Sequence, residues 1–328
     1  MATAEGPIDV TGIGNAIVDV LAHADDATLT RSGLVKGTMA LVEEDRAREL
    51  YSQMGPAVEI SGGSAANTVA GVASLGGRAA YIGKVRDDQL GDVFTHDIRA
   101  AGVRFDTAPS HAGASTARCM IMVTPDAQRT MSTYLGACRE LGPDDIDEAR
   151  IEQSLVTYLE GYLWDPPAAK QAFLKASQIA RRAGRKTALS LSDPFCVERH
   201  RGEFLDLVET HIDILFANEH EMCSLYQTPR LEDALAAVRK HCELVVVTRS
   251  AAGSVVLSGD ETSIVAAAPV RALVDSTGAG DLYASGFLYG YTHGRSPAEC
   301  GRLGALCAAE VLAQFGARPE RPLRALLG

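Results

Sequence analysis

The 328-residue sequence predicts an α/β fold, a doubly wound and mostly parallel sheet covered by helices on both faces. Three observations predict it. Short, apolar, β-rich runs alternate with helical stretches over most of the chain. The composition, 46% hydrophobic and 22% charged, suits a large buried core. Glycine-rich and polar clusters follow several of the strand-like runs, at the edge where doubly wound sheets bind ligands.

Taken in order, IDVTGI (8–13) reads as a buried strand. Residues 15–42 alternate without a clear helix. EEDRARELYSQM (43–54) reads as an amphipathic helix. SAANTVAGVASL (64–75) is a small-residue helix capped by Ser64, and AAYIGKV (79–85) follows as a strand. The rhythm breaks again at about 103–135, with VRFDTA, STARCMIMVT and RTMSTYL. These segments and 15–42 read either as a small separate β-sheet or as edge strands of the main one. VTYLEG (156–161), TALSLS (187–192), DILFAN (213–218) and LVVVTR (244–249) look like parallel strands, and AGDLYASGFLYGYT (279–292) like a helix. No internal repeat, low-complexity tract or long linker divides the chain, so 1–328 is read as one domain.

Bulk properties exclude several classes. A net charge of −11 argues against nucleic acid as a partner, because phosphate backbones need clustered Lys and Arg. A small anionic ligand stays compatible, since backbone N–H groups can hold phosphate on an acidic protein. Seven scattered cysteines without a C-x-x-C pair fit a reducing, cytoplasmic setting. The first segment lacks the basic start of a signal peptide, and no run of about 18 apolar residues predicts a membrane span.

The chemistry is read from five stretches. In GIGNAIVD (12–19) the third glycine of a dinucleotide fingerprint is replaced by Ile17, which argues against an NAD-dependent oxidoreductase. Asn15 and Asp19 at that strand exit suit either a polyol ligand or an ordinary turn. In ISGGSAANTVAG (60–71), Gly62 and Gly63 permit close backbone approach, and Ser64 and Asn67 lie within one helical turn; tight helix–sheet packing is the alternative. In NEHE, Asn218 and Glu221 suit phosphate or water-held Mg²⁺, or simple helix capping. In VVVTRSAAGS, Thr248 and Gly253 suit a nucleotide or a hairpin turn. No Walker A element, nucleophile elbow or H-E-x-x-H occurs. The last stretch, DSTGAGD (275–281), opens a helix with Gly278, Ala279 and Gly280, whose amides and dipole favour phosphate. Asp281 beside them suits a base that takes the proton of an acceptor hydroxyl next to a γ-phosphate. A non-catalytic sugar-binding protein would not need an acid in that cradle.

In these motifs the chain resembles the ribokinase-like family of carbohydrate and nucleoside kinases. ISGGSAANTVAGVASLGGRAAYIGKVRDDQLG is similar to the family's N-terminal signature and DSTGAGDLYASGF to its C-terminal one, with NEHE and VVVTRSAAGS between them in the family's order. Within the family the similarity is greatest to adenosine kinases, through TYLGACRELGPDDI, LEGYLWDPP and LSLSDPF. The resemblance implies a three-layer α/β/α sandwich with a small β-sheet lid built from about 15–42 and 103–135. It implies ATP-dependent phosphorylation of the primary 5′-hydroxyl of adenosine, or alternatively of a sugar such as ribose, fructose or a keto-sugar acid. Asp281 would be the base, with Gly278, Ala279 and Gly280 as anion hole. Asn15, Asp19, Gly62, Gly63, Ser64 and Asn67 would hold the acceptor, with Tyr162, Trp164 or Phe195 stacking on a purine. Asn218, Glu221, Thr248 and Gly253 would serve MgATP, Glu221 holding Mg²⁺ through water. Asp275 would bind a monovalent cation such as K⁺. A monomer and a homodimer both fit, since lid strands can pair between subunits or shield the ligand.

Overall fold

The computed structural model describes residues 6–126 and 128–327. In chain order the strands are β1 (Ile8–Ile13), β2 (Ile17–His23), β3 (Met39–Leu41), β4 (Val58–Gly62), β5 (Ala79–Ile82), β6 (Val103–Phe105) and β7 (Ala117–Val123). They continue with β8 (Arg129–Tyr134), β9 (Ser154–Glu160), β10 (Lys186–Ser190), β11 (Ile214–Asn218), β12 (Leu244–Thr248), β13 (Ser254–Ser258) and β14 (Glu261–Val265). A nine-stranded sheet runs β14-β13-β12-β11-β10-β9-β1-β5-β6. It is parallel from β12 to β6, while β13 and β14 add an antiparallel edge.

Strands buried on both faces explain the continuous apolar runs. Successive side chains point to opposite sides, so Leu159, Leu189 and Val245 enter one core with Phe173 and Phe204, whereas Tyr158, Ala188 and Val246 enter the other with Phe94 and Phe287. This gives the three-layer sandwich.

A second sheet, β3-β8-β7-β2-β4, stands apart from the first. One of its faces presents Ile17, Asp19, Cys119, Ile121, Arg129 and Met131 to a cavity. Its other face packs Met120 and Tyr134 on Ala47 and Leu50 of the helix Glu44–Gln53.

The structure refines four readings. VRFDTA does not join the small sheet: β6 pairs with β5 at the edge of the main one, so both readings of 103–135 hold for different parts of it. Residues 15–42 do contain a helix, the six-residue Asp26–Arg31, capped by Asp25 accepting from Thr28 N–H at 2.7 Å. Ser64 is not the cap of its helix but the first residue within it. Gly63 caps at φ +95°, and a Cβ there would collide with the Asn15 carbonyl oxygen. The strands β13 and β14, not anticipated, make the 249–253 stretch a hairpin connection.

Candidate active site

The C-terminal ends of β9, β10, β11 and β12, with Asn15 just past β1, floor a cavity of about 940 Å³, and the small sheet roofs it. Every residue named from sequence lines it except Gly62, Asp275 and Trp164. The glycine at 62 has another use, because a side chain there would occupy the place of the Asp19 carboxylate. Trp164 is core: it packs on Phe173 and Phe204 and donates its indole N–H to Glu203 at 2.9 Å. Tyr162 and Phe195 do line the cavity, Tyr162 donating its hydroxyl to the Ser192 carbonyl at 3.2 Å.

At the centre is Asp281, in the first turn of the helix Ala279–Thr292. Gly278 caps this helix at φ +75°, with Ala317 so close that a Cβ would meet its methyl at 2.5 Å. The amides of a first helical turn have no intrahelical acceptor and carry the positive end of the dipole. Ser64 donates its hydroxyl to Asp281 Oδ1 at 2.6 Å, and Asn67 Nδ2 donates to Oδ2 at 2.9 Å. Burial pushes the Asp281 carboxyl above the usual range, opposed by these two bonds and by the charges of Arg129 and Arg318. Among the described residues the buried Asn67 Oδ1 has no hydrogen-bond partner.

Asp19 is buried on β2, and no hydrogen bond from the described residues reaches its carboxylate. Burial drives it up to about 7, with Arg318 pulling down and Asp281, Asp275 and Glu160 pushing up. Asn15 is held by Glu160, which accepts from its side-chain amide at 2.8 Å and from the Ala65 N–H at 2.9 Å. Glu160 is itself pushed up to about 7 by burial, against the pull of those donors. Asn218 and Glu221 form a reciprocal capping box, Glu221 N–H to Asn218 Oδ1 at 2.9 Å and Asn218 N–H to Glu221 Oε2 at 2.9 Å. Capping is thus realised while both residues still line the cavity. Burial raises Glu221 to about 7. Gly253 sits at φ +83° beside Thr248.

Asp275 is fully buried, and its carboxylate staples two loops. Oδ1 accepts from Thr277 N–H at 2.9 Å and Thr277 hydroxyl at 2.7 Å, and Oδ2 from Gly316 N–H at 2.9 Å. Three of the carboxylate's acceptor positions are thus used within the protein. Among the described residues no group of three or more His, Cys, Asp or Glu could hold a metal ion.

Residues 33–324 match the sequence profile of the pfkB family carbohydrate kinases. The chain belongs to this family. It is therefore a kinase, a phosphotransferase with a ribokinase-like fold. The solved adenosine kinase of Sinorhizobium meliloti is 56% identical, with a TM-score of 0.94 over 98% of this chain and 99% of that one. A probable sugar kinase of Rhizobium etli is 53% identical, with a TM-score of 0.94 over 98% of each chain. The adenosine kinase of Saccharomyces cerevisiae is 25% identical over 93% of this chain and 94% of its own. No helix among the described residues is long and apolar enough to cross a membrane.

Sequence reasoning passed over three charged residues of this pfkB kinase. Glu160 had a signal, an acid closing an otherwise apolar strand. Arg129, on the cavity side of β8, makes no hydrogen bond or ion pair with the described residues and acts on Asp281 through its charge. Arg318 lies outside every motif and reaches Ser61 across 257 residues of sequence.

Proposed function

We propose that this kinase transfers the γ-phosphoryl group of ATP to the primary 5′-hydroxyl of a nucleoside, converting adenosine to AMP. The seat of Asp281 carries this reading: a carboxylate fixed by Ser64 and Asn67 in the first turn of a helix whose free amides invite phosphate. In the transfer, the 5′-hydroxyl gives its proton to Asp281. Its oxygen forms the new bond to the γ-phosphorus, and the bond from that phosphorus to the departing ADP oxygen breaks. The Gly278–Gly280 backbone takes up the charge on the phosphoryl oxygens, with Arg129 approaching from the small sheet.

Asp19, which no hydrogen bond from the described residues reaches, is suited to the hydroxyls of a ribose. Tyr162, Phe195, Leu41 and Leu135 give the acceptor end the apolar surface that a purine needs. The small sheet acts as a lid that excludes water from the transfer. Thr248 and Gly253 border the nucleotide end. Glu221, already engaged by Asn218, fits Mg²⁺ held through water and not by direct ligation. Mg²⁺ there would offset charge on the phosphate oxygens.

The likeness to an adenosine kinase at 56% identity supports the nucleoside acceptor. A sugar acceptor is the second reading, favoured by the 53% likeness to a probable sugar kinase. Measuring ADP release with MgATP and a panel of acceptors tests the proposal. Adenosine should give a kcat/KM at least about tenfold above ribose, fructose or 2-keto-3-deoxygluconate, a gap of about 1.4 kcal/mol. A free sugar as the better acceptor would refute the nucleoside reading.

A further inference from the structure

We propose that Arg318 is a positioning residue for the acceptor end of the site: its guanidinium fork locks the 61–66 turn, and its charge serves the Asp19 carboxylate seated on that turn. The inference rests on the kinase reading above and extends it to a residue outside the motifs.

Each of the three guanidinium nitrogens of Arg318 donates to one turn. Nε donates to the Ser61 carbonyl at 2.8 Å, Nη1 to the Ala66 carbonyl at 2.7 Å and Nη2 to Ser61 Oγ at 2.9 Å. Ser61 in turn donates its N–H at 2.8 Å and its hydroxyl at 2.5 Å to Asp97 Oδ2. The bracketed turn holds Gly62, against whose missing side chain the Asp19 carboxylate rests, and Gly63, which opens the Ser64 helix. A planar fork suits such multiple carbonyl contacts; a lysine would supply the charge without the geometry. The same segment reaches the phosphate end through Gly316 N–H to Asp275 and Ala317 against Gly278. It also reaches β2, where the Phe315 ring lies 4.6 Å from that of His23.

Electrostatics point the same way. The groups acting on Asp19 from the surrounding elements are Asp281, Asp275, Glu160 and, on β7, the Cys119 thiol; Arg318 is the cation that opposes them. Asp97 faces Arg318 from the other side, and Arg129 acts on Asp281. Burial already lifts Asp19 to about 7, so this charge decides how much of it is ionised at neutral pH.

The test is a ¹³C carboxyl NMR titration of the apo protein, with the Asp19 signal assigned through Asp19→Asn. It is run in wild type, Arg318→Gln and Arg318→Lys beside acceptor kinetics. In Arg318→Gln the Asp19 midpoint should rise by about one unit or more. At pH 7 that shift alone cuts the ionised fraction, and so raises the adenosine KM, about fivefold. The pH at which KM levels off should rise by the same amount, while ATP affinity without acceptor stays within about twofold of wild type. Arg318→Lys should restore the midpoint but not the full affinity, and it decides the case if Arg318→Gln does not fold. An unmoved midpoint in Arg318→Gln, a moved one in Arg318→Lys, or equal weakening of ATP and acceptor would overturn the inference. Should wild type phosphorylate none of the acceptors, the kinase-substrate reading fails, and the titration still decides the role of Arg318.

Discussion

Asp281 and Asp19 are two acids in one cavity with different surroundings, and their substitution should show it. Asp281 has both oxygens engaged, by Ser64 and Asn67, beside a helix start. Asp281→Asn keeps the shape and loses the proton acceptor. It should fold, bind ATP and lose about 10²- to 10⁴-fold in single-turnover phosphoryl transfer. If the acid merely complemented the helix dipole, it would be worth about 0.3–1 kcal/mol of stability and the rate would barely move. Asp19 engages no donor among the described residues, and burial holds it up at about 7 against an ordinary 3.8. A carboxyl raised in the folded state stabilises fully below its unfolded value and loses that contribution as pH climbs through the folded one. Asp19→Asn escapes the loss. Its melting temperature should equal that of wild type near pH 4 and exceed it by about 2 °C or more at pH 8, while the adenosine KM rises steeply and ATP affinity holds. A melting difference that does not grow with pH would contradict the burial of an unpartnered charge.

The helix that carries Asp281 opens on two glycines that do different work. Gly278 adopts φ +75° with Ala317 against it, so Gly278→Ala is strained twice over and should destabilise by more than about 1 kcal/mol. Around Gly280 nothing lies within 4 Å of a would-be Cβ. Gly280→Ala should leave folding intact or stabilise by about 0.5–1 kcal/mol, yet impair ATP turnover by crowding the space kept for phosphate. Thermal melts beside ATP kinetics separate the pair; normal turnover in Gly280→Ala would remove Gly280 from the anion hole. The elements themselves were largely legible. Doubly buried strands are short and mostly apolar, and that pattern announced β1, β9, β11 and β12. The cap at 63 was misjudged because serine is a common N-cap, whereas here the tight passage past Asn15 demands glycine. Strand β6 left two readings open because three residues, alternating as they do, carry no mark of the sheet they join.

At the scale of the whole molecule, motif residues were legible because each motif shapes its own backbone: Gly63, Asn218, Gly253 and Gly278 all close local turns or caps. Their partners were not. Arg318, Glu160 and Arg129 act across folds of the chain, and a lone charge in a sequence does not tell which distant turn it meets. Trp164 shows the converse, an aromatic that read as a stacking face and packs in the core. In the proposed reaction, the Asp281 carboxylate joins an acceptor end at Asp19 to a phosphate end at Gly278–Gly280. The most direct test is a crystal structure of the complex with adenosine and a non-hydrolysable ATP analogue. The account predicts the ribose 2′- and 3′-hydroxyls on Asp19 and the 5′-oxygen about 2.6–3.2 Å from an Asp281 oxygen, facing the γ-phosphorus. An adenosine bound with its 5′-oxygen away from Asp281, or a triphosphate that bypasses the Gly278–Gly280 amides, would contradict it.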